Sequence, residues 1–500
     1  MTLQCLLVTP PFSPNTSNPL LGPAILKSHA EAAGFELRAI DLNILYISMF
    51  AEEADPDRGN VVGDHNADER QIDRAREYFT QSLYLPDITS ERIPCCDDPN
   101  SSLPHSFEEI DASLKEMKRD GFWPNFLATN VFSNGQAPAV LGISIMGPAQ
   151  VPLALLLASL CKQHWPETIV IAGGSHITLL ARRIAEEPRY SGSIDFFAPG
   201  HSEDVLIEVM ERLDRQSGAA DLQQLKGLLR AGHGWTRNQG VPPEQRLAPI
   251  FEESELAYYQ KKGLLTLPIQ LARGCAYGRC TYCTYPVVEE FERTEVDRMA
   301  ERFLPPMLRL SPHFISVKDS LLTMASMDTF GQAINAMKPD LGWSATTKVH
   351  VSMTPQRMRE LYGMGCRTLE MGIETIHPHS QKFFDKVEPL TNIEAALEAT
   401  LEAGISVVIN MIYGIPGESI EDAHKQMTWW RSWHDRHPGK VFGVHNMLQI
   451  DEGSPLSHYP ERYGLSLRGT GPWSFTYVWN APEWRPHFER YIRENGGRAQ

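Results

Sequence analysis

The sequence predicts an α/β protein of two parallel-sheet domains, a doubly wound sheet followed by a partial or full parallel β/α barrel. Three observations lead there. Short, continuously apolar runs alternate with helical segments over residues 1–215, a pattern that suits strands buried on both faces. The alternation starts again at 263 and repeats through six units to about 455. Between the two, residues 216–262 are polar with scattered Gly and Pro and read as a linker.

In the first domain "LQCLLVT" is a buried strand, "GPAILKSHAEAAG" a helix closed by Gly34, and "FELRAIDLN" the second strand. A charge-rich insertion, about 47–135, follows and holds Cys95 and Cys96. These two read as ordinary loop thiols rather than a redox pair. The pattern resumes with "AVLGISIMG", a helix over 151–163, "TIVIAGG", a helix over 177–187, "IDFFAPG" and a helix over 204–213. Ligands of such sheets sit beyond the carboxyl ends of the strands. Those ends read "TPPFSP", "SIMGP", "AGGSHIT" and "PGHSE", a series of Gly, Pro and small polar residues.

In the second domain "LLTLPIQLA", "HFISVKD", "GWSATTK", "TLEMGIE", "SVVINMIYG" and "VFGVHNMLQ" are the strands. Thr354 as N-cap with Pro355 behind it marks one helix start. Capping boxes at Thr391/Glu394 and Ser419/Asp422 mark two more, the former helix ending at Gly404. The tryptophans of "WWRSWHDRH" fall at helical spacing and suit burial against the barrel. The C-terminal extension, 456–500, contains the aromatic-dense "WSFTYVWNAPEW", read as a cap on the barrel in preference to a pocket wall.

With 46 basic against 62 acidic residues, a net charge of −16 argues against nucleic acid or an anionic membrane as the main partner. The N-terminus has no basic region before its apolar run, and "VPLALLLASLC" is too short to span a bilayer. These features lead to the expectation of a cytoplasmic protein. Eight cysteines in 500 residues, three of them clustered, are not a secreted disulfide framework.

The cluster is "RGCAYGRCTYCTYP", where Cys275, Cys280 and Cys283 stand at C-x4-C-x2-C after the first barrel strand. Structural zinc would require a fourth Cys or His nearby, and the next cysteine is Cys366. Three thiolates alone suit an iron–sulfur cluster with one iron left open to a substrate.

This loop and the strand ends behind it resemble the radical S-adenosylmethionine (radical SAM) enzymes. The resemblance implies that Cys275, Cys280 and Cys283 hold a 4Fe-4S cluster, whose open iron binds S-adenosylmethionine. Reductive cleavage would then yield a 5′-deoxyadenosyl radical. The family spacing has one residue fewer between the first two cysteines; Gly278 is expected to absorb the extra one in a turn with positive φ. Tyr282 would face the adenine, Asp319 of "VKDS" the methionine moiety, and Glu374 with Gly372 of "GIET" the ribose. Gly414 and Pro416 of "IYGIPGES" would pack against adenine, with Gln449 of "LQIDEGSPL" at the sixth strand end.

The first domain resembles the Rossmann-like cobalamin-binding domain that precedes the barrel in a large radical SAM subgroup. Pro10, Ser144, Gly173, Gly174, His176, Gly200 and Glu203 are the positions this resemblance assigns to cobalamin. His176 also reads as a helix-capping or packed imidazole, and the glycines as tight-turn residues. No D-x-H-x-x-G loop follows the first strand, so no lower histidine ligand to cobalt is expected. The expected function is a cobalamin-dependent radical SAM methyltransferase acting on an unactivated carbon of a small molecule or peptide. A flavodoxin- or ferredoxin-type protein would be its electron donor. A non-methylating radical rearrangement, coupling or oxidation is the alternative, and a non-catalytic cobalamin- or metal-binding sensor is the alternative from another class.

Overall fold

The computed structural model describes residues 3–12, 18–46, 105–133, 136–215, 222–261, 263 and 265–495. Cys95, Cys96 and most of the 47–135 insertion lie outside the described residues. The chain divides into two compact units, Met1–Leu265 with Gly469–Phe475, and Thr266–Arg468 with Thr476–Gln500.

The first unit is built on five parallel strands: β1 (Gln4–Thr9), β2 (Glu36–Asp41), β3 (Val140–Ser144), β4 (Ile169–Gly173) and β5 (Phe196–Ala198). Their order is β2-β1-β3-β4-β5, so the winding reverses between β1 and β3, as in a doubly wound sheet. Side chains alternate across each strand. Leu6 and Val8 of β1 join one core with Leu141, Ile143, Val170 and Ala172. Cys5 and Leu7 join the opposite core with Val140, Ile169 and Ile171. The helices α1 (Leu21–Ala32), α2 (Phe107–Asp120), α3 (Val151–His164), α4 (Ser175–Glu186) and α5 (Glu203–Asp214) accompany the sheet.

Residues 222–261 are not a linker. Leu222, Leu225 and Leu229 are buried, the first two in the core that holds Val205 and Val209 of α5. Leu229 exchanges two backbone hydrogen bonds with Phe197. Glu252 accepts the Ala39 N–H of edge strand β2 at 2.7 Å and the Lys27 ammonium at 2.8 Å. The polar average of this stretch conceals a few leucines that reach the cores on both faces of the sheet.

Six parallel strands form the second unit: β6 (Thr266–Ile269), β7 (Phe314–Val317), β8 (Gly342–Thr347), β9 (Cys366–Glu374), β10 (Ser406–Tyr413) and β11 (Val441–Met447). Each pairs with its neighbour in chain order, and β6 and β11 are the two edges. The result is an open, partial β/α barrel. Its helices are α6 (Val296–Leu308), α7 (Met324–Met337), α8 (Pro355–Gly363), α9 (Leu390–Glu402) and α10 (Ile420–Arg436). Thr354 caps α8 by accepting the Arg357 N–H, and Ser419 caps α10 by accepting the Asp422 N–H. The Thr391/Glu394 box does not form: α9 starts at Leu390, with its N-cap at Pro389, two residues before Thr391, and without a side-chain cap. Glu394 instead accepts the Trp429 indole N–H.

The C-terminal extension is divided. Gly469–Phe475 belongs to the first unit, where Trp473 is buried against Tyr190 at 4.9 Å. That part is not a barrel cap. Beyond it, a helix over Arg485–Asn495 places Phe488 against Tyr413 of the barrel at 5.1 Å. Among the described residues no helix is long and apolar enough to cross a membrane.

Candidate radical and cofactor site

The cysteine loop leaves β6 at Ile269 and is tied down at several points. Asp319, just past β7, accepts the N–H groups of Leu271 and Ala272 at 2.7 and 3.0 Å. This contact makes Asp319 an anchor of the loop start. Glu289 accepts the Gln270 amide and the Gly274 N–H. Thr281 donates its N–H to the Phe384 carbonyl and its hydroxyl to the Phe383 carbonyl. Tyr277 lies beneath two cations, Arg279 at 4.8 Å and Lys348 at 4.2 Å, and donates to the Asp385 carbonyl. Gly278 has φ 58°, a left-handed turn within the longer first gap.

Cys275, Cys280 and Cys283 are free and partly buried. Burial raises the Cys280 thiol, while Lys386 and Lys348 act in the opposite direction. Burial likewise pushes Cys283 up to about 11. Glu374 and Cys275 raise Cys280 further, and Cys280 and Cys275 raise Cys283, so the three thiols share one electrostatic neighbourhood. Among the described residues no three His, Cys, Asp or Glu side chains converge on a single ion. A cubane does not require such convergence, because each cysteine ligates a different iron and the sulfurs stand apart. The soft donors and the neighbouring ammonium groups fit a cluster.

Glu374 ends β9 at a bulge, with φ 66° in the left-handed region. It is buried and paired with Lys386 at 2.8 Å. Burial lowers the Lys386 pKa, but Glu374 and Cys280 outweigh it and leave the ammonium above its usual range. Gly372 makes room for this pair: a Cβ there would stand 2.6 Å from both Glu374 Oε1 and Lys386 Nζ. The Tyr282 phenol is held well above 10 by burial and then by Glu374, and its ring meets Phe384 edge-on at 4.7 Å.

At the end of β10, Glu418 accepts the N–H groups of Gly414 (2.7 Å) and Ile415 (3.1 Å). Burial pushes this carboxyl up to about 7. Gly414 has φ 75° and Pro416 is partly buried in the turn. Gln426 of α10 donates to the carbonyls of Glu374 and Ile412, locking the ends of β9 and β10 together. Gln449 is exposed beyond β11. Lys386, Glu418 and Gln426 escape sequence reasoning. Of these, only Glu418 lay inside a quoted motif.

In the first unit Pro10, Ser144 and Gly173 stand at the carboxyl ends of β1, β3 and β4. Gln150, fully buried, donates to the Pro10 carbonyl and accepts the N–H groups of Met146 and Gly147. Gly174 has φ 100°, and a Cβ there would lie 2.3 Å from the Ile145 carbonyl oxygen. Gly200 has φ 89° and the same relation to the Asn238 carbonyl oxygen. At both glycines a positive φ and a close backbone approach leave no room for a side chain. Glu203 opens α5 and is buried. His176 is fully buried, 5.1 Å from the Phe475 ring, and burial depresses it to about 3. In this structure the imidazole is a packed one, set against the Phe475 ring.

A sequence model described as "Radical SAM superfamily" matches residues 269–428. No curated protein matches. Among solved structures, the radical S-adenosylmethionine methyltransferase TsrM from Kitasatospora setae, with cobalamin and a [4Fe-4S] cluster bound, is similar at 14% identity and TM-score 0.59, over 95% of this chain and 85% of that one. The same enzyme with tryptophan substrate and a SAM analogue gives 15%, 0.61, 99% and 88%. The cobalamin-dependent S-adenosylmethionine radical enzyme OxsB, with aqua-cobalamin and S-adenosylmethionine bound, gives 12%, 0.64, 99% and 67%. At these identities the likeness is one of fold: a doubly wound domain followed by a partial β/α barrel.

Proposed function

We propose that this chain, which carries a radical SAM superfamily domain at residues 269–428, is a cobalamin-dependent radical SAM enzyme that methylates an unactivated carbon of a small molecule or peptide. The observation that carries the reading is the three-cysteine loop beside the Glu374–Lys386 pair at the carboxyl ends of β6 and β9. When bound, the cluster and S-adenosylmethionine would supply a carbon-centred oxidant for hydrogen abstraction, and cobalamin a transferable methyl group. The residues of this chain bind and orient. Cys275, Cys280 and Cys283 ligate the cluster, and Glu374, oriented by Lys386, takes the ribose hydroxyls. Tyr282, Gly414 and Pro416 shield the adenine. The carboxyl edge of β1, β3 and β4 carries the corrinoid, with Gln150 fixing Pro10. Arg279 and Lys382 edge a cleft of about 550 Å³ next to the loop, where an acidic flavodoxin- or ferredoxin-type donor would dock.

Anaerobic reconstitution followed by turnover with candidate substrates tests the reading. Expected are 5′-deoxyadenosine, S-adenosylhomocysteine and a methylated product, all abolished with the cluster's iron in Cys280→Ala. 5′-Deoxyadenosine without the other two would overturn methyl transfer in favour of a non-methylating radical reaction. Absence of reductive cleavage in a cluster-loaded protein would overturn the enzyme reading in favour of a sensor.

A further inference from the structure

The inner face of the barrel carries polar side chains that the cofactor contacts above do not use. In β9, Leu369, Met371 and Ile373 are buried, so the alternating positions Thr368, Glu370 and Gly372 take the opposite face. Thr346 of β8 and Asn410 of β10 reach Glu370 from either side. The Asn410 amide Nδ2 donates to Glu370 Oε1 at 2.7 Å, and the Thr346 hydroxyl donates to Oε2 at 3.4 Å. Lys318 follows β7 nearby; burial lowers its pKa and Glu370 works against that shift.

The orientation of Asn410 follows from chemistry. A carboxylate only accepts, so the amide must turn its N–H to Glu370 and its oxygen away. Among the described residues that oxygen, Oδ1, is buried with no hydrogen-bond donor. An acceptor left in this state costs about 1–3 kcal/mol, which a ligand N–H would recover.

We propose that Asn410 and Glu370, braced by Thr346, form the substrate subsite of the barrel, and that it takes an N–H-bearing head group, an amine or a primary amide. The inference rests on the enzyme reading above only in calling the ligand a substrate. An apolar head group or a tertiary amide would leave Asn410 Oδ1 unsatisfied and be rejected.

The test uses the full chain and aryl or short-chain primary amines, each paired with its N,N,N-trimethylammonium counterpart, and primary carboxamides, each paired with its N,N-dimethyl counterpart. Binding is read by thermal shift and calorimetry. Expected is a preference of about tenfold or more for the N–H member of a pair, as one recovered hydrogen bond implies. Asn410→Leu should lose that preference while keeping wild-type iron content after reconstitution. If Asn410→Leu does not fold, Asn410→Ala takes its place. Equal binding within every pair, no binding of any probe, or a preference that survives substitution of Asn410 would each overturn the subsite. Probe binding needs no cleavage of S-adenosylmethionine, so failure of the enzyme reading would show separately, as missing 5′-deoxyadenosine.

Discussion

Glu374 occupies a backbone region that non-glycine residues rarely adopt. Such strain persists only where the surroundings enforce it. Here the bulge in β9, the Lys386 ion pair and the Gln426 bond to its carbonyl do so. Lys386→Met would leave a buried carboxylate unpaired, which costs about 3–5 kcal/mol. Gly372→Ala disrupts the same pair by contact, so chemical denaturation should show the two changes to be non-additive. Both should also weaken S-adenosylmethionine binding by calorimetry. Sequence pattern identifies Glu374 but not Lys386, because a lysine in the irregular loop after β9 has no periodicity to mark it. Only the return of the chain past the cysteine loop brings it within 2.8 Å.

His176 gives a pH test at the same scale. Unfolded, it takes up a proton near pH 6.5, while the folded chain resists protonation until about 3. Its contribution to stability is therefore complete above 6.5 and is lost as pH falls through that window. His176→Phe should flatten the fall in melting temperature between pH 6.5 and 4 relative to wild type. An unchanged profile would show that the imidazole is not shielded.

Strands and helices were legible wherever period and length agreed. The apolar runs of β1, β3 and β4 place alternate residues in two separate cores, as parallel strands covered on both faces require. Caps were less certain. Thr354 and Ser419 act as N-caps, but the N-cap of α9 is Pro389 and the helix passes over Thr391. A capping motif states what can cap, and the preceding turn decides whether it does. The turn after β4 supplies a sharper test. Gly174→Ala would force a Cβ to 2.3 Å from the Ile145 carbonyl oxygen at φ 100°, and should cost more than about 4 kcal/mol or abolish soluble expression. Gly147→Ala, with nothing within 4 Å, should stay within about 0.5 kcal/mol by the same denaturation assay.

The two compact units are not two continuous stretches of chain. Gly469–Phe475 completes the first unit although it lies beyond most of the second in sequence. Trp473 belongs to a core with Phe197 and Leu180, and Arg183 donates to the Ser474 carbonyl at 2.7 Å. Trp473→Ala should destabilise the first unit by about 3–5 kcal/mol. Hydrogen exchange should then accelerate in β3 to β5, while the strand amides of β9 and β10 keep their protection. Uniform acceleration throughout the chain would contradict this division.

The sequence by itself determined the two parallel α/β folds, their order, and the loop bearing Cys275, Cys280 and Cys283. These depend on local periodicity and on spacing over a few residues, which a linear string preserves. Tertiary structure alone decided that Asp319 anchors the loop start, that residues 222–261 and 469–475 pack into the first unit, and that Asn410 turns a buried oxygen away from Glu370. Each of these depends on partners distant along the chain, and nothing in local composition records which distant groups folding brings together.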